Sequence, residues 1–181
     1  GDRVIPSDLR IPVEGCFPLL RDIVLNDRIK LDPSRNDFPV TLHDPCNLTR
    51  LMGIIKPQRE ILNKICPQFR EMSPNGPHNY CCGGGSGYAI MSRNTIPEWK
   101  VKISGRKKLQ QTLDAFSDCR GPETSKYICA PCSNCKGQYR DIIEHHELLE
   151  KEGLTYGGLV ELIVNAMPEV NPGFIKWGEE M

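Results

Sequence analysis

The sequence carries no excess of either charge sign. Lysine plus arginine and aspartate plus glutamate each number 23, so the formal net charge is zero. Domains whose main task is to coat nucleic acid usually carry a basic excess. The composition therefore argues against nucleic acid as a partner.

Long hydrophobic runs are also absent. No apolar stretch approaches the roughly 18 residues that a membrane-spanning helix needs, and no basic start followed by an apolar segment marks a signal peptide. The chain begins at Gly1 rather than at methionine, so we expect it to be a piece of a longer protein. We expect a cytoplasmic location, with any membrane association supplied by partner subunits or by a missing segment.

Cysteine, by contrast, is abundant. Nine cysteines occur in 181 residues, and an odd number without a secretion signal is not typical of a disulfide scaffold. In a reducing compartment this number favours metal binding or thiol chemistry. The nine are Cys16, Cys46, Cys66, Cys81, Cys82, Cys119, Cys129, Cys132 and Cys135.

Apolar patterns predict strands that alternate with helices. β-branched and apolar residues predict strands at 38–43 and 126–129. Apolar spacings of three and four residues predict the helices, which are placed near 19–29, on either side of Pro57, near 99–116 with a kink at Gly105, after Cys135, and at 159–167. This alternation predicts an α/β fold with a mainly parallel sheet flanked by helices.

The same reading divides the chain into three parts. Residues 1–37 are predicted to form an irregular N-terminal segment, 38–170 the cysteine-rich domain, and 171–181 a polar tail. Open α/β sheets usually bind ligands in the loops that follow their strands. We therefore expect the cysteine-bearing loops to gather at one edge of the sheet.

The adjacent pair Cys81 and Cys82 favours a polymetallic cluster. Neighbouring side chains in an extended segment point to opposite faces, which makes a disulfide between them difficult. In a cluster each sulfur can bind a different iron. Gly83, Gly84 and Gly85 follow and would allow the backbone to approach an inorganic group closely and donate N–H groups to its sulfides; an ordinary turn is the alternative.

The Cys132-Ser133-Asn134-Cys135 segment connects a predicted strand to a predicted helix. At a helix N-terminus the dipole lowers a thiol pKa and favours the thiolate that binds metal. Cys129 extends the pattern to C-x-x-C-x-x-C and is a possible further ligand. The long separations from Cys46 and Cys81 do not fit a local zinc knuckle but suit loops gathered at a sheet edge.

The ordered motifs HDPC, CCGGG and CxxC resemble the CCG, or cysteine-rich, domain of heterodisulfide reductase catalytic subunits. The resemblance runs from about residue 38 to 167, and HDPCNLTR with CAPCSNCKGQ is similar in particular to the K subunit of the membrane complex associated with dissimilatory sulfite reductase. It implies a non-cubane [4Fe–4S] cluster, with Cys81 and Cys82 nearest the substrate. The implied ligands are Cys46, Cys81, Cys82, Cys132 and Cys135.

The resemblance also implies an oxidoreductase that acts on sulfur groups within a larger complex. Its substrate would be a disulfide- or trisulfide-type protein, namely a small sulfur-carrier protein with redox cysteines. Electrons would come from quinol through membrane subunits and cubane clusters. The chain itself has no C-x-x-C-x-x-C-x-x-x-C-P run for a cubane cluster and only one CCG motif, so we expect it to depend on partners for electrons.

Two other functions remain open. Cys82, Cys129, Cys132 and Cys135 could form a structural Cys₄ zinc site, which leaves Cys46 without a role. The strand, CAPCSNC and helix order also imitates a thioredoxin-like thiol oxidoreductase.

Simpler roles are predicted for the remaining polar and sulfur-containing residues. Cys16, Cys66 and Cys119 are expected to be small buried apolar residues. His43 is expected to be a core histidine, with a hydrogen bond to a cluster as its alternative role. The basic run is expected to form a solvated helix face, and it comprises Lys100, Lys102, Arg106, Lys107 and Lys108.

Overall fold

The computed structural model describes residues 12–85 and 95–176. Within them, four parallel strands form one sheet in the order β2-β1-β3-β4. The strands are β1 (Val40–Leu42), β2 (Phe69–Arg70), β3 (Lys126–Cys129) and β4 (Leu154–Gly157). The predicted α/β fold is thus confirmed, and the predicted bounds of β3 are the observed ones.

Helices lie between the strands. The α-helices are α1 (Cys16–Leu25), α2 (Lys56–Ile65), α3 (Arg106–Ala115), α4 (Ser133–His145), α5 (Leu148–Glu152) and α6 (Leu159–Asn165). Two π-helical segments, Asn47–Leu51 and Trp99–Ser104, and two 3₁₀ turns, Pro33–Asn36 and Gly76–His78, complete the described elements. No helix in the described ranges is long and apolar enough to cross a bilayer.

The helices cover both faces of the sheet because alternate residues of each strand point to opposite sides. Val40, Leu42, Tyr127 and Cys129 pack against α1, α2 and α6 in one core. Ile128 and Ala130 belong to the second core, which includes residues of α4, α5 and the Trp99–Ser104 segment. A sheet buried on both faces accounts for the near-continuous apolar run at the end of β3.

The two central strands determine where a site can form. β1 and β3 are neighbours, with Leu42 aligned to Cys129, while their following strands lie on opposite sides of this pair. Such a reversal opens a crevice at the carboxyl ends of the strands, where open α/β sheets bind ligands. The segments that leave these two ends carry Cys46 and Cys132.

Several local predictions were wrong. β2 and β4 were not predicted, and Trp99, Ile103 and Leu149, which were expected to face the core, are each about half exposed. Gly105 does separate two helical segments, as expected, and Pro57 opens α2 at its first turn.

The basic run is not a uniformly solvated face either. Lys102, Arg106 and Lys107 are exposed, whereas Lys100 and Lys108 are buried. Lys100 pairs with Asp141 of α4. Helical periodicity turns these two lysines inward at a place where the interior supplies polar partners.

Candidate metal centre

Cys46 is positioned by the end of β1. His43, Asp44 and Pro45 continue the buried strand, and Cys46 then emerges at the surface just before the Asn47–Leu51 segment. Thr49 stabilises this turn, since both its backbone N–H and its hydroxyl donate to the carbonyl oxygen of Pro45 at 3.0 Å. The predicted ligand is therefore held at the carboxyl edge of the sheet.

A buried ion pair fixes the loop on the other side of the same edge. Arg59 of α2 donates two hydrogen bonds to the carboxylate of Asp44, at 2.8 and 2.7 Å. The same carboxylate accepts the backbone N–H of Gly76 at 2.6 Å. Asp44 thus ties α2 and the segment leading to Cys81 to the strand that carries Cys46.

The adjacent cysteines differ in exposure. Cys81 is exposed, whereas Cys82 is only 4% exposed and its sulfur lies 3.4 Å from that of Cys135. The backbone N–H groups of Gly83 and Gly84 donate to the sulfurs of Cys81 and Cys82, at 3.3 and 3.4 Å. Such N–H groups favour negatively charged sulfur.

The glycines after the pair are not equivalent. Gly83 has φ of +81°, and a Cβ there would lie 2.7 Å from the backbone of Ser104. At Gly84 a Cβ would lie 2.6 Å from the Cβ of Gln138. A Cβ at Gly85 would meet nothing within 4 Å, so only the first two glycines are required for close packing.

Cys132 and Cys135 occupy the start of α4. Cys132 is its N-cap residue and Cys135, 3% exposed, lies in the first turn. The pKa of Cys132 is lowered to about 6, chiefly because the Cys135 thiol hydrogen-bonds to it and also because the N–H groups of Cys135 and Asn134 point at it. The direction agrees with the shift expected at a helix N-terminus.

Cys82 is the second thiol that favours the charged form. Hydrogen bonds from Cys135 and Cys81 lower its pKa, against the opposing effect of burial. Cys135 shifts the other way: its pKa is raised because its proton is held between Cys132 and Cys82. Thiolates in this arrangement are the state in which cysteine binds metal.

His43 completes the buried side of the site. Its Nε2 lies 3.2 Å from the sulfur of Cys135, and burial lowers the pKa of the ring. One ligand atom each from His43, Cys82 and Cys135 falls within 4.8 Å of the others. The histidine is thus both buried and in contact with a predicted ligand.

One small cavity joins most of these groups. It is lined by Cys46, Cys81, Cys82 and Cys135 together with His43, Asp44, Thr49, Arg50, Asn79 and Tyr80. Cys132 lies beside Cys135, to which it is hydrogen-bonded. The structure therefore brings the five predicted ligands to one place.

The other four cysteines lie elsewhere. Cys129 is fully buried in the opposite core, where desolvation raises its pKa well above the ordinary thiol value. Cys66 belongs to the same core, and Cys119 is half-buried beside Arg70. Cys16, which was expected to be buried, is exposed at the start of α1.

The position of Cys129 weighs against its participation in metal binding. Along β3 its side chain points away from the face that carries Cys82 and Cys135. A Cys₄ zinc site that includes Cys129 would require this side chain to leave the core.

The donor set suits a soft metal group. Five cysteine sulfurs, two of them buried, with N–H groups directed at the sulfurs, are the chemistry that selects iron–sulfur clusters, zinc or copper(I) rather than hard cations. The residues present thus fit a thiolate-bound cluster.

Sequence reasoning missed two residues behind this set. Asn79 and Lys108 are buried next to His43. Their polarity gives no apolar signal by which a periodicity argument could place them inside.

Comparison with known proteins agrees with this geometry. The family model described as "Cysteine-rich domain", CCG, matches residues 40–140. Two iron–sulfur-class relatives are subunits of dihydromethanophenazine:CoB–CoM heterodisulfide reductase from Methanosarcina acetivorans and Methanosarcina mazei; they are 29% and 35% identical, each over 91% of this chain and 36% of the relative. An Hdr-like menaquinol oxidoreductase iron–sulfur subunit of Archaeoglobus profundus is 37% identical over 80% of this chain and 24% of the relative.

The chain spans between 24% and 36% of the length of these curated relatives. No solved structure matches it.

Proposed function

The chain belongs to the CCG family of cysteine-rich domains, and from that premise we propose that it is the iron–sulfur electron-transfer module of a heterodisulfide reductase-like complex. The observation that carries the proposal is the convergence of Cys46, Cys81, Cys82 and Cys135 on one cavity, with Cys132 beside them. Relatives named as heterodisulfide reductase and menaquinol oxidoreductase iron–sulfur subunits support the same class of chemistry.

The proposed cofactor is a non-cubane [4Fe–4S] cluster. Four cysteines suffice for a cubane cluster, whereas five converge here. Cys82 and Cys135 would anchor it on the buried side, and the N–H groups of Gly83 and Gly84 would hold the sulfurs of Cys81 and Cys82 in place. Gly85 would leave space beside the cluster.

The proposed reaction takes place on the exposed side of the site. Cys46 and Cys81 are exposed whereas Cys82 and Cys135 are buried, so a protein sulfur can approach from one direction only. Reducing an S–S bond to two thiols takes two electrons and two protons. When bound, the cluster would supply the electrons one at a time, and Cys81 and Cys82 would be the ligands nearest the substrate.

We propose a protein disulfide or trisulfide as the substrate. A small sulfur-carrier protein with redox cysteines, linked to sulfite reduction, is the specific partner in this proposal. Electrons would arrive from quinol through membrane subunits and cubane clusters, which would also hold the chain at the cytoplasmic side of the membrane.

A zinc site is the second candidate, and one observation favours it. His43, Cys82 and Cys135 already place three ligand atoms within 4.8 Å of one another, and tetrahedral zinc is bound by this type of residue. Cys132 would be the fourth ligand in place of Cys129. Zinc would leave Cys46 and Cys81 without a role, which is why we prefer the cluster.

Substituted cysteines test the proposal. We expect Cys81→Ser and Cys82→Ser to lose bound iron and acid-labile sulfide, because serine does not replace a bridging thiolate. Cys16→Ser, exposed and away from the site, should retain both at the wild-type level. Loss in the Cys16 variant with retention in the other two would contradict the assignment.

A further inference from the structure

Lys108 is a lysine buried in the wall behind the proposed cluster. Its side chain lies on α3 and is 0% exposed. Its Nζ is 2.6 Å from the Oδ1 of Asn79 and 3.8 Å from the sulfur of Met72, and it also contacts the Oε1 of Gln111. A buried lysine is rare unless a specific partner compensates its charge.

The neighbours of Lys108 identify it as an ammonium. The amide of Asn79 is oriented by its nitrogen, which donates to the carbonyl of Asp44 at 3.1 Å, and the amide of Gln111 by its donation to Pro74 at 2.5 Å. Each amide therefore turns its oxygen, an acceptor, toward Lys108. Three acceptors, including the Met72 sulfur, match the three donors of a charged lysine.

No carboxylate neutralises this ammonium at close range in the described part of the chain. Lys100 and Lys136 form ion pairs with Asp141 and Glu161, but Lys108 forms none within 4.0 Å among the described residues. The negative groups that act on it are Cys82, Asp44, Cys135 and Cys81, which oppose the lowering of its pKa by burial. Three of these four are proposed cluster ligands.

A chain of hydrogen bonds connects the ammonium to the cluster cysteines. Asn79 accepts from Lys108 through Oδ1, and its Nδ2 lies 3.5 Å from the Nδ1 of His43. An Nδ1 that accepts leaves the proton of the neutral ring on Nε2. This Nε2–H then donates to the sulfur of Cys135 at 3.2 Å.

We infer that Lys108 is the buried counter-charge of the proposed cluster and, acting through Asn79 and His43, raises its reduction potential. The inference rests on the proposed function. A fixed positive charge and hydrogen bonds to ligand sulfur both favour the reduced, more negative state of a cluster. Lys108 is thus a positioning residue that acts through its neighbours and does not touch the substrate.

The test is the midpoint potential of the cluster in anaerobically prepared protein, followed by EPR. Lys108→Met should lower the midpoint potential relative to wild type, and Lys108→Gln should lower it in the same direction because it also removes the charge. Lys126→Met is the matched control. Lys126 is equally buried, but its Nζ donates to Gly121 and Thr124 beyond the amino end of β3, so the potential of this variant should equal that of wild type.

An unchanged potential in both Lys108 variants, with folding verified by circular dichroism, would overturn the inference. A fall of equal size in Lys126→Met would also overturn it, since the effect would then report general destabilisation. If neither Lys108 variant folds, Asn79→Ser interrupts the chain while keeping the lysine, and an unchanged potential there contradicts the inference. Wild-type protein without iron and sulfide overturns the proposed function and this inference together.

Discussion

At the scale of single residues, the surroundings of each cysteine separate roles that the sequence alone leaves open. Cys82 and Cys129 are both buried. Cys82 receives hydrogen bonds that lower its pKa, whereas Cys129 has only desolvation and nearby negative groups, which raise its pKa. The first environment prepares a thiolate for metal, and the second keeps a neutral thiol as a small apolar side chain.

This difference predicts the behaviour of Cys129→Ala. The variant should keep the iron and sulfide content of wild type, because the side chain faces the core on the other side of β3. Its free energy of unfolding should fall by roughly 1 kcal/mol, as for other small losses of core volume.

Metal analysis together with urea unfolding would check both parts. Loss of the metal from Cys129→Ala, with folding intact, would restore Cys129 to the ligand set.

The buried carboxylate of Asp44 gives a second prediction at this scale. Arg59→Met leaves that carboxylate, which is 1% exposed, without its ion-pair partner. Breaking a buried pair in this way costs about 3–5 kcal/mol, so urea unfolding of the variant should show a loss of that order.

Arg21→Met is the control for this measurement. Arg21 pairs with Glu60 of the same helix α2, but both side chains are more than a third exposed, and such surface pairs contribute about 0–1 kcal/mol. Similar losses in the two variants would contradict the structural role assigned to Asp44.

At the scale of secondary-structure elements, the site depends on how short segments meet. The CCGGG loop is packed between the Trp99–Ser104 segment and α4, because Gly83 approaches Ser104 and Gly84 approaches Gln138. A larger residue at either position would move the cysteines away from α4. The glycines therefore hold Cys82 next to Cys135.

Gly83→Ala and Gly85→Ala test this packing. Alanine at Gly83 meets the Ser104 backbone and must adopt a positive φ, so the free energy of unfolding should fall by roughly 1–3 kcal/mol and the iron content should fall with it. Gly85→Ala should resemble wild type, since a Cβ has open space there. Equal iron contents in the two variants would show that the close approach at Gly83 is not needed.

The elements also show how far the sequence could predict the fold. The alternation of apolar strands and amphipathic helices was sufficient for the α/β class and for β3. β2 has only two residues, and β4 ends in Gly157, so neither has a distinguishing local pattern; each is stabilised by pairing with a neighbouring strand.

Polar burial was the main feature that could not be predicted. The five proposed ligands were identified from their spacing and from the family resemblance. Lys108 resembles its solvated neighbours Arg106 and Lys107 in sequence, and only the tertiary contacts with Asn79 and Gln111 distinguish it. The role of His43 beside Cys135 likewise depends on the pairing of β1 with β3.

At the scale of the whole molecule, the sheet makes the proposed site asymmetric. The strand ends and α4 close one side of it, while Cys46 and Cys81 remain exposed on the other. The chain spans about a quarter to a third of its curated relatives, and its sequence has no cubane-cluster motif. Our account therefore assigns the delivery of electrons to partner subunits or segments and the contact with the sulfur substrate to this module.

The most direct test of the central claim is the content of iron and acid-labile sulfide in protein prepared without oxygen, with an EPR spectrum recorded after mild oxidation in the presence of a thiol. The account predicts about four irons and four sulfides per chain and a signal unlike that of a cubane ferredoxin. A single zinc without sulfide would contradict it and would make the site a structural metal centre.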